Sequence, residues 1–466
     1  MTSTNSITAN RLDRQELAGR IRRINWNPRG KVIDVIGNVV EAAMPQSQLG
    51  SLVEISVPGQ QDGVLAEVVG FREDRVLLLP YTQINGIRPG SVISRQRVLD
   101  QIPVGDFLLG KIVDPFMNSL LDQETIVPPG SDLVAIDAPA PNPMLRTRIS
   151  RPLGLGIRAI DGLLTFGDGQ RVGIMAGSGV GKSVLLGMIA RDTDADINVI
   201  GLIGERGREV KEFLERDLGK EGLARSVVVV VTSDQSPLMK IRGAKVVTSI
   251  AEYFSRRGKR VLVMMDSLTR VAMAQREIGL SIGEPPTTKG YTPSVFSLLP
   301  RLLERTGPQL PRHGNISALY TVLVEGDDFN DPIVDSARSI LDGQINLTRA
   351  LAAKGHYPAI DITTSISRVM SDIVAPEHAK LANRVKSLIG TYNENFDLVQ
   401  IGAYQPGANP KLDEAMVLMP AIERFTAQDV HDRSNLLTAT NGLKSLFNQA
   451  SNERTDNGVR VPGMQR

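Results

Sequence analysis

RVGIMAGSGVGKSVLLGMIAR, residues 171–191, runs from an apolar stretch (Val172–Met175) through a glycine-rich turn into an apolar pattern of helical spacing opening at Lys182. Strand, loop and helix in that order are the setting in which a phosphate-binding loop works. Gly177, Gly179 and Gly181, with Ser178 and Val180 between them, leave backbone N–H groups free to converge on phosphate oxygens, because no Cβ blocks the approach. The helix that starts at Lys182, Ser183 and Val184 adds its positive dipole end. Lys182 is placed to reach the β- and γ-phosphates, and the Ser183 hydroxyl to be a Mg²⁺ ligand. Ala176 stands where the strict pattern GxxxxGK[ST] wants its first glycine. The plain alternative is a glycine-rich turn joining a core strand to a core helix. Strand, loop and helix signals agree, so the stretch reads as nucleotide-binding.

The chain around it has 466 residues, room for about three domains. Hydrophobic residues make up 41% and charged residues 22%, ordinary values for a globular protein. A formal net charge of +2 argues against a chain-wide polyanion-binding surface. There is no cysteine, which excludes disulfides, thiolate metal sites and thiol catalysis. His313, His356, His378 and His431 are scattered, with no pair at metal-ligand spacing. No apolar run reaches the length of a membrane span and the N-terminus lacks a signal-peptide core. The expectation is a cytoplasmic protein whose membrane association, if any, is peripheral.

Residues 1–27 are expected to form a flexible, amphipathic segment. Between Arg11 and Asn25, Leu17, Ile21 and Ile24 share one stripe while Arg14, Arg20, Arg22 and Arg23 outnumber the acids. Such a helix can lie on an anionic membrane, dock on a partner or pack on its own barrel. Residues 28–95 read as short strands separated by turns (KVIDVIG, VVEAA, SLVEIS, GVLAEVVGF, RVLLLP, SVISR), the pattern of a small β-barrel. PVGDFLLGKIVDPFMNSLLD suggests a further strand pair, and PPGSDLVAIDAPAPNP a proline-rich wrap without regular structure. Residues 96–375 form the expected nucleotide-binding domain. There INVIGLI, SVVVVVT, RVLVMM and ISALYTVLV are strands buried on both faces, alternating with helical stretches. The fold class is α/β, a mostly parallel sheet flanked by helices, with ligands at the carboxyl ends of its strands. Residues 376–450 turn helical, with further helices expected around 413–417 and 428–437, and 451–466 form a loose tail.

Strand ends supply the acids. RVLVMM terminates in Asp266, the Mg²⁺-associated position of phosphate-loop enzymes, although a helix cap is the simpler role for an acid there. INVIGLI terminates in GERGRE, where Glu205 can orient and polarise a water for in-line attack on a γ-phosphate, or instead join a structural ion-pair network. ISALYTVLV ends near Glu325, Asp327 and Asp328, which remain unassigned.

AGSGVGKS, GLIGERGREV, MDSLTRVAMAQREIGLSIGEPPTTKGYTPSVF, SILDGQINL and GHYPAIDI together resemble the type III protein-export ATPases, relatives of the catalytic β subunit of the rotary ATP synthase. AGSGVGKSVLLGM and MAQREIGLSIGEPP resemble the flagellar branch more than the injectisome branch, and the likeness runs from about residue 28 to about 440. The resemblance implies that Glu205 polarises the attacking water, that Lys182, Ser183 and Asp266 serve Mg-ATP, and that Arg206 and Arg270 lie near the γ-phosphate. It also implies that the Tyr357 ring packs on adenine and that Arg368 reaches into a neighbouring subunit's site. The implied architecture is an RecA/F1-like nucleotide-binding domain between a β-barrel and a helical domain. Copies would assemble as a homohexameric ring, with the Gly279–Gly290 loop facing its pore.

The partners implied in the same way are a central stalk protein in the pore and a negative-regulator or stator protein at the N-terminus. Beyond these come the membrane export gate, export chaperones with their cargo, and the inner face of the cytoplasmic membrane. Injectisome cargo and a non-catalytic, nucleotide-binding ring subunit are the competing readings, and Glu205 argues against the second. A nucleic-acid translocase would want basic and aromatic residues interleaved in the barrel; Phe71 and Tyr81 are its only aromatics, so no nucleic-acid partner is expected.

Overall fold

The structure, a computed structural model, describes residues 29–59, 62–95, 100–121, 127–324, 326 and 331–456. The expected N-terminal helix, residues 457–466, and Glu325, Asp327 and Asp328 lie outside the described residues. The chain divides into two units, with the boundary after Leu99.

In the first unit β1 (Arg29–Ile36), β2 (Val39–Ala43), β3 (Leu52–Ile55), β4 (Val64–Arg72), β5 (Arg75–Pro80) and β6 (Val92–Arg95) form a closed barrel in the order β1-β2-β5-β4-β3-β6. Closure comes from β6 pairing antiparallel with β1, Gly30 opposite Ile93. Alternation fixes the register, since every second side chain of β4 (Val64, Ala66, Val68) points inward. Val40, Val53, Ile55, Leu78 and Ile93 are fully buried at its centre. Glu41 is buried too, and two arginines neutralise it: Arg72 Nη1 at 3.0 Å and Arg75 Nη1 at 2.6 Å.

The second unit begins with β7 (Gln101–Val104), β8 (Ile112–Val113), β9 (Asp132–Ala135) and α1 (Arg158–Leu163). Next come β10 (Arg171–Ala176), α2 (Lys182–Asp192), β11 (Ile197–Glu205), α3 (Gly207–Glu212), α4 (Gly219–Ala224), β12 (Ser226–Thr232), α5 (Pro237–Arg256), β13 (Val261–Asp266) and α6 (Leu268–Ser281). Then follow α7 (Pro293–Leu303), β14 (Ile316–Leu323), α8 (Pro332–Ile340), β15 (Gly343–Leu347), α9 (Arg349–Ala353) and β16 (Ile360–Ser367). The chain closes with α10 (Met370–Ile373), α11 (Pro376–Glu394), α12 (Phe396–Gln400), α13 (Pro410–Thr426) and α14 (Leu436–Asp456).

One eight-stranded sheet organises this unit, in the order β16-β15-β10-β14-β13-β11-β12-β8. It is parallel throughout except that β16 runs antiparallel to β15. Its inner strands are buried on both faces, which is why β12 tolerates five consecutive valines. The helices α11, α13 and α14 share the apolar core on one side, where Val385, Leu418 and Leu443 are buried. Each such side chain contributes about 1.5–3 kcal/mol of burial. His378 of α11 donates from Nε2 to the Gly162 carbonyl of α1 at 2.8 Å, tying that layer to the nucleotide-binding core.

Three expectations are corrected. The segment after residue 101 is not a strand pair, because β7 pairs with β9 while β8 adds to the main sheet beside β12. The proline-rich stretch does contain a strand, β9, placed ahead of its Pro139–Pro143 cluster where N–H donors are still available. No helix covers 428–435; that segment is extended and turned, and α14 starts only at Leu436.

Candidate active site

The turn after β10 behaves as its glycines require. Gly179 and Gly181 take left-handed φ values of 77° and 83°, and Gly181 is the N-cap of α2. A Cβ at Gly181 would stand 3.2 Å from the Tyr357 ring, so this glycine also lets the tyrosine approach the loop. Ser183 Oγ makes no hydrogen bond among the described residues and lines the adjoining cleft.

Parallel pairing brings the two acids to this loop. In the register of the sheet Leu202 of β11 stands opposite Asp266, and Met265 of β13 opposite Tyr320 of β14, so these strands end side by side. Lys182 Nζ lies 2.6 Å from Asp266 Oδ1 and 3.7 Å from Glu205 Oε1. Thr321 of β14 donates to the same Asp266 oxygen at 2.7 Å. Asp266 does not cap the following helix; Ser267 does, its Oγ accepting from Arg270 N at 3.3 Å, which leaves the Asp266 carboxylate to the site. Gly204 turns Glu205 inward with φ 78°, and a Cβ there would meet Arg270 Cβ at 2.8 Å. The closeness of α6 to β11 therefore depends on that glycine.

The charges are coupled. Burial raises the Glu205 carboxyl to about 7, helped by the Asp266 charge and opposed by Lys182. Burial acts against the Lys182 ammonium, but Asp266 and Glu205 outweigh it and hold its pKa above the ordinary lysine value. A carboxylate poised near neutrality beside a fixed ammonium suits a group that must polarise water.

A cleft of about 1170 Å³ opens from the loop. Arg270 lines it with a buried Nε that finds no hydrogen-bond partner among the described residues. Among the described residues its Nη1 donates only to the weak acceptor Met273 Sδ at 3.7 Å, so the guanidinium keeps donor capacity for an anion. Arg206 also lines the cleft but is largely exposed and pairs with Glu209 at 3.1 Å. Tyr357 forms the wall across the loop, 45% exposed. The structure thus brings together Lys182, Ser183, Glu205, Arg206, Arg270 and Tyr357 around one cleft, with Asp266 behind Lys182.

Arg368 is not among them. It follows β16, and its N–H donates to the Asp342 carbonyl at 3.0 Å. The Asp342 carboxylate in turn accepts from Arg171 N, at the first residue of β10. The phosphate loop lies beyond the last residue of that six-residue strand, about 20 Å away along it. Arg368 is exposed, with one guanidinium nitrogen donating to the Arg338 carbonyl at 3.2 Å.

Reading by motif passed over several contributors. Thr321 fixes Asp266, and Arg349, Arg158 and Gln428 line the cleft from distant segments. A threonine inside an apolar strand could have signalled the first; the others belong to no short motif. Among the described residues no helix is long and apolar enough to cross a membrane, and no group of three or more His, Asp or Glu side chains is arranged to hold a metal ion.

Known proteins share the three-part organisation of this chain. Residues 156–367 match the ATP synthase alpha/beta family, nucleotide-binding domain; residues 32–96 match that family's beta-barrel domain; residues 374–445 match the T3SS EscN ATPase C-terminal domain. The flagellum-specific ATP synthase of Bacillus subtilis is 52% identical, over 90% of this chain and 94% of its own. The type 3 secretion system ATPase of Xanthomonas euvesicatoria is 51% identical, over 90% and 94%. The assembled ATPase EscN of the enteropathogenic E. coli type III secretion system superposes with a TM-score of 0.83 at 45% identity, covering 90% of this chain and 99% of that one. A second EscN structure, in complex with its central stalk EscO, gives 0.82 with the same identity and coverage. With a phosphate loop, a partly buried lysine between two strand-end acids, and this three-part match, the chain belongs to the ATP synthase alpha/beta family and, within it, to the ATP-hydrolysing ATPases of flagellar and type III export.

Proposed function

We propose that this chain hydrolyses Mg-ATP in a ring of identical copies and energises the export of flagellar proteins. The convergence of Lys182, Glu205 and Asp266 at the end of the phosphate loop carries the reading. The loop amides of residues 177–183 and Lys182 hold the β- and γ-phosphates, and Tyr357 packs on adenine. Glu205 orients a water against the γ-phosphate. Arg270, with its free Nε, and Arg206 meet the charge that develops as the phosphoryl group transfers.

The residues present fit Mg²⁺. Ser183 Oγ and Asp266 Oδ2 are oxygens without hydrogen bonds among the described residues, and a hard cation of this size takes one or two protein oxygens plus phosphates and waters. When bound, Mg²⁺ neutralises phosphate charge; Ser183 and Asp266 are the groups that would hold it.

Arg368 cannot serve the cleft of its own chain, and it matches in motif an arginine given to a neighbour. It therefore completes the site of the next copy, in a homohexamer. The stalk-bound EscN assembly supports a stalk partner for this ring too. The Gly279–Gly290 loop faces the pore. The remaining contacts are a regulator at the N-terminal segment, the export gate, chaperones with their cargo, and the cytoplasmic face of the membrane. Injectisome cargo is the second reading, favoured by the near-equal likeness to the Xanthomonas ATPase.

Glu205→Gln tests the core of this. The variant binds Mg-ATP and loses turnover by about 10²–10⁴-fold; near-native turnover removes Glu205 from the reaction.

A further inference from the structure

The base end of the cleft is walled by a strap, residues 425–432, that enters from the helical layer and has no regular structure beyond Thr426. Long-range donors take up its carbonyls. Arg158, the first residue of α1, donates to Phe425 O at 3.3 Å and Ala427 O at 2.6 Å, and lies 3.4 Å from the Asp432 carboxylate. Arg191, near the end of the helix that starts at the phosphate loop, donates to Val430 O at 2.8 Å.

Gln428 sits at the middle of this strap, 5% exposed. Its Oε1 accepts from Arg158 N at 2.8 Å, and its Nε2 donates to Gly156 O at 2.8 Å and Asp432 O at 3.0 Å. Its own backbone N–H donates to the Tyr357 carbonyl at 2.8 Å. One buried residue therefore joins three places: its side-chain amide holds the entry to α1 and the Asp432 turn, and its backbone N–H holds the segment that carries the tyrosine. A buried side chain that makes three hydrogen bonds holds its backbone in one place, and removing it leaves those partners unsatisfied.

We infer that Gln428 is a positioning residue for the nucleotide base: its side-chain amide fixes the strap, and the strap's backbone N–H holds Tyr357, so that the base finds a preformed wall, without Gln428 touching the reacting phosphates. The inference rests on the proposal that ATP lies in this cleft with adenine against Tyr357. It separates two parts of binding. Phosphate affinity comes from the loop and Lys182, whereas base affinity depends on the alignment that Gln428 maintains.

The test compares ATP with inorganic tripolyphosphate, which carries the phosphates and no base. For wild type, Gln428→Ala and Gln428→Glu, the full-length protein is assayed for kcat and KM with ATP and for inhibition by tripolyphosphate. Gln428→Glu keeps the acceptor for Arg158 N and loses the two donated bonds, so it reports even where the alanine variant fails to fold. The expected result is a KM for ATP raised about tenfold in Gln428→Ala and less in Gln428→Glu. Throughout, kcat stays within about twofold and the tripolyphosphate inhibition constant does not move. An unchanged KM overturns the inference. So does a parallel loss of affinity for ATP and tripolyphosphate, which would mark Gln428 as a general support of the fold. Wild-type protein that binds ATP no better than tripolyphosphate would instead refute the placement of the base at Tyr357.

Discussion

The two ends of the central sheet are charged in opposite ways. At the carboxyl end, β10, β11 and β13 deliver the phosphate loop, Glu205 and Asp266 into a partly buried cluster whose charges are already paired. At the amino end, Arg368 stands exposed beside Asp342 and Arg171 with much of its guanidinium unused. One end is a preorganised socket that lacks a cation from outside, and the other offers a cation with no socket. With Arg368 in its proposed role, the difference means that a single copy is built for a reaction it does not finish alone.

The strongest way to break this comparison is Arg368→Ala. It should bind ATP and lose about 10³–10⁵-fold in turnover, the range an arginine finger contributes in nucleotide hydrolases. Mixed with an excess of Glu205→Gln, it should regain activity, because an intact carboxylate then meets an intact arginine. Full turnover in Arg368→Ala, or no recovery in rings that cross-linking shows to be mixed, would end the idea of a shared site.

Lys182→Ala attacks the socket itself. Binding of a non-hydrolysable ATP analogue should weaken and turnover fall below about 1% of wild type, since the ammonium interacts with phosphate charge that shifts during transfer. Calorimetric titration reads the first and phosphate release the second. Unchanged values for both would make the loop structural.

A smaller effect separates the ends by pH. Glu205 is raised from 4.5 to about 7 in the free chain, so its carboxylate, the form that polarises water, is lost as pH falls through about 7. The sign is therefore fixed: kcat/KM, which reports the free enzyme, should fall about tenfold per unit below pH 7 and level off above it. Arg368→Lys should keep that limb at reduced amplitude, because the substitution leaves the Glu205 carboxyl and its neighbours unchanged. A flat profile between pH 5.5 and 7.5 would contradict the raised carboxyl.

The smallest effect concerns the wall. Tyr357→Phe should leave KM for ATP within about twofold, and Tyr357→Ala should raise it about threefold to tenfold, because stacking needs the ring and not the hydroxyl. Equal losses in both variants would mean that the hydroxyl, not the ring face, meets the nucleotide.

How much of this could be read from the chain depended on the range of the forces. The barrel strands were legible because alternation such as Val64, Ala66, Val68 is local and turns bracket each run. The phosphate loop was legible because glycine spacing alone encodes its backbone. The helix expected over 428–437 begins only at Leu436, because residues 428–435 hold a single apolar side chain, Val430, and so no stripe for a helix to bury. Arg191, about 240 positions away in sequence, takes the Val430 carbonyl, and Arg158, about 270 positions away, takes that of Ala427 just ahead of the segment, so long-range donors hold it extended. The strand β9 was hidden by its proline-rich neighbours, and its pairing with β7 spans a gap that no local pattern announces. Glu205, Asp266 and Lys182 were nameable one by one, but their 2.6 Å and 3.7 Å separations follow from strand order.

The reversed direction of β16 has a consequence for counting. Had β16 run parallel to its neighbour, its last residue would have arrived at the rim that already holds the phosphate loop. Running backwards, it leaves Arg368 at the far rim, so in the proposed role of Arg368 the contact between copies is head-to-tail. With Arg368 serving the next copy, an open row of n copies contains n − 1 finished sites and always one idle socket at its end, while a closed ring contains n. Activity per subunit would then rise steeply on the first pairing, more slowly as the row lengthens, and gain a last increment at closure. Ring closure is thereby legible in an assay that never observes the ring.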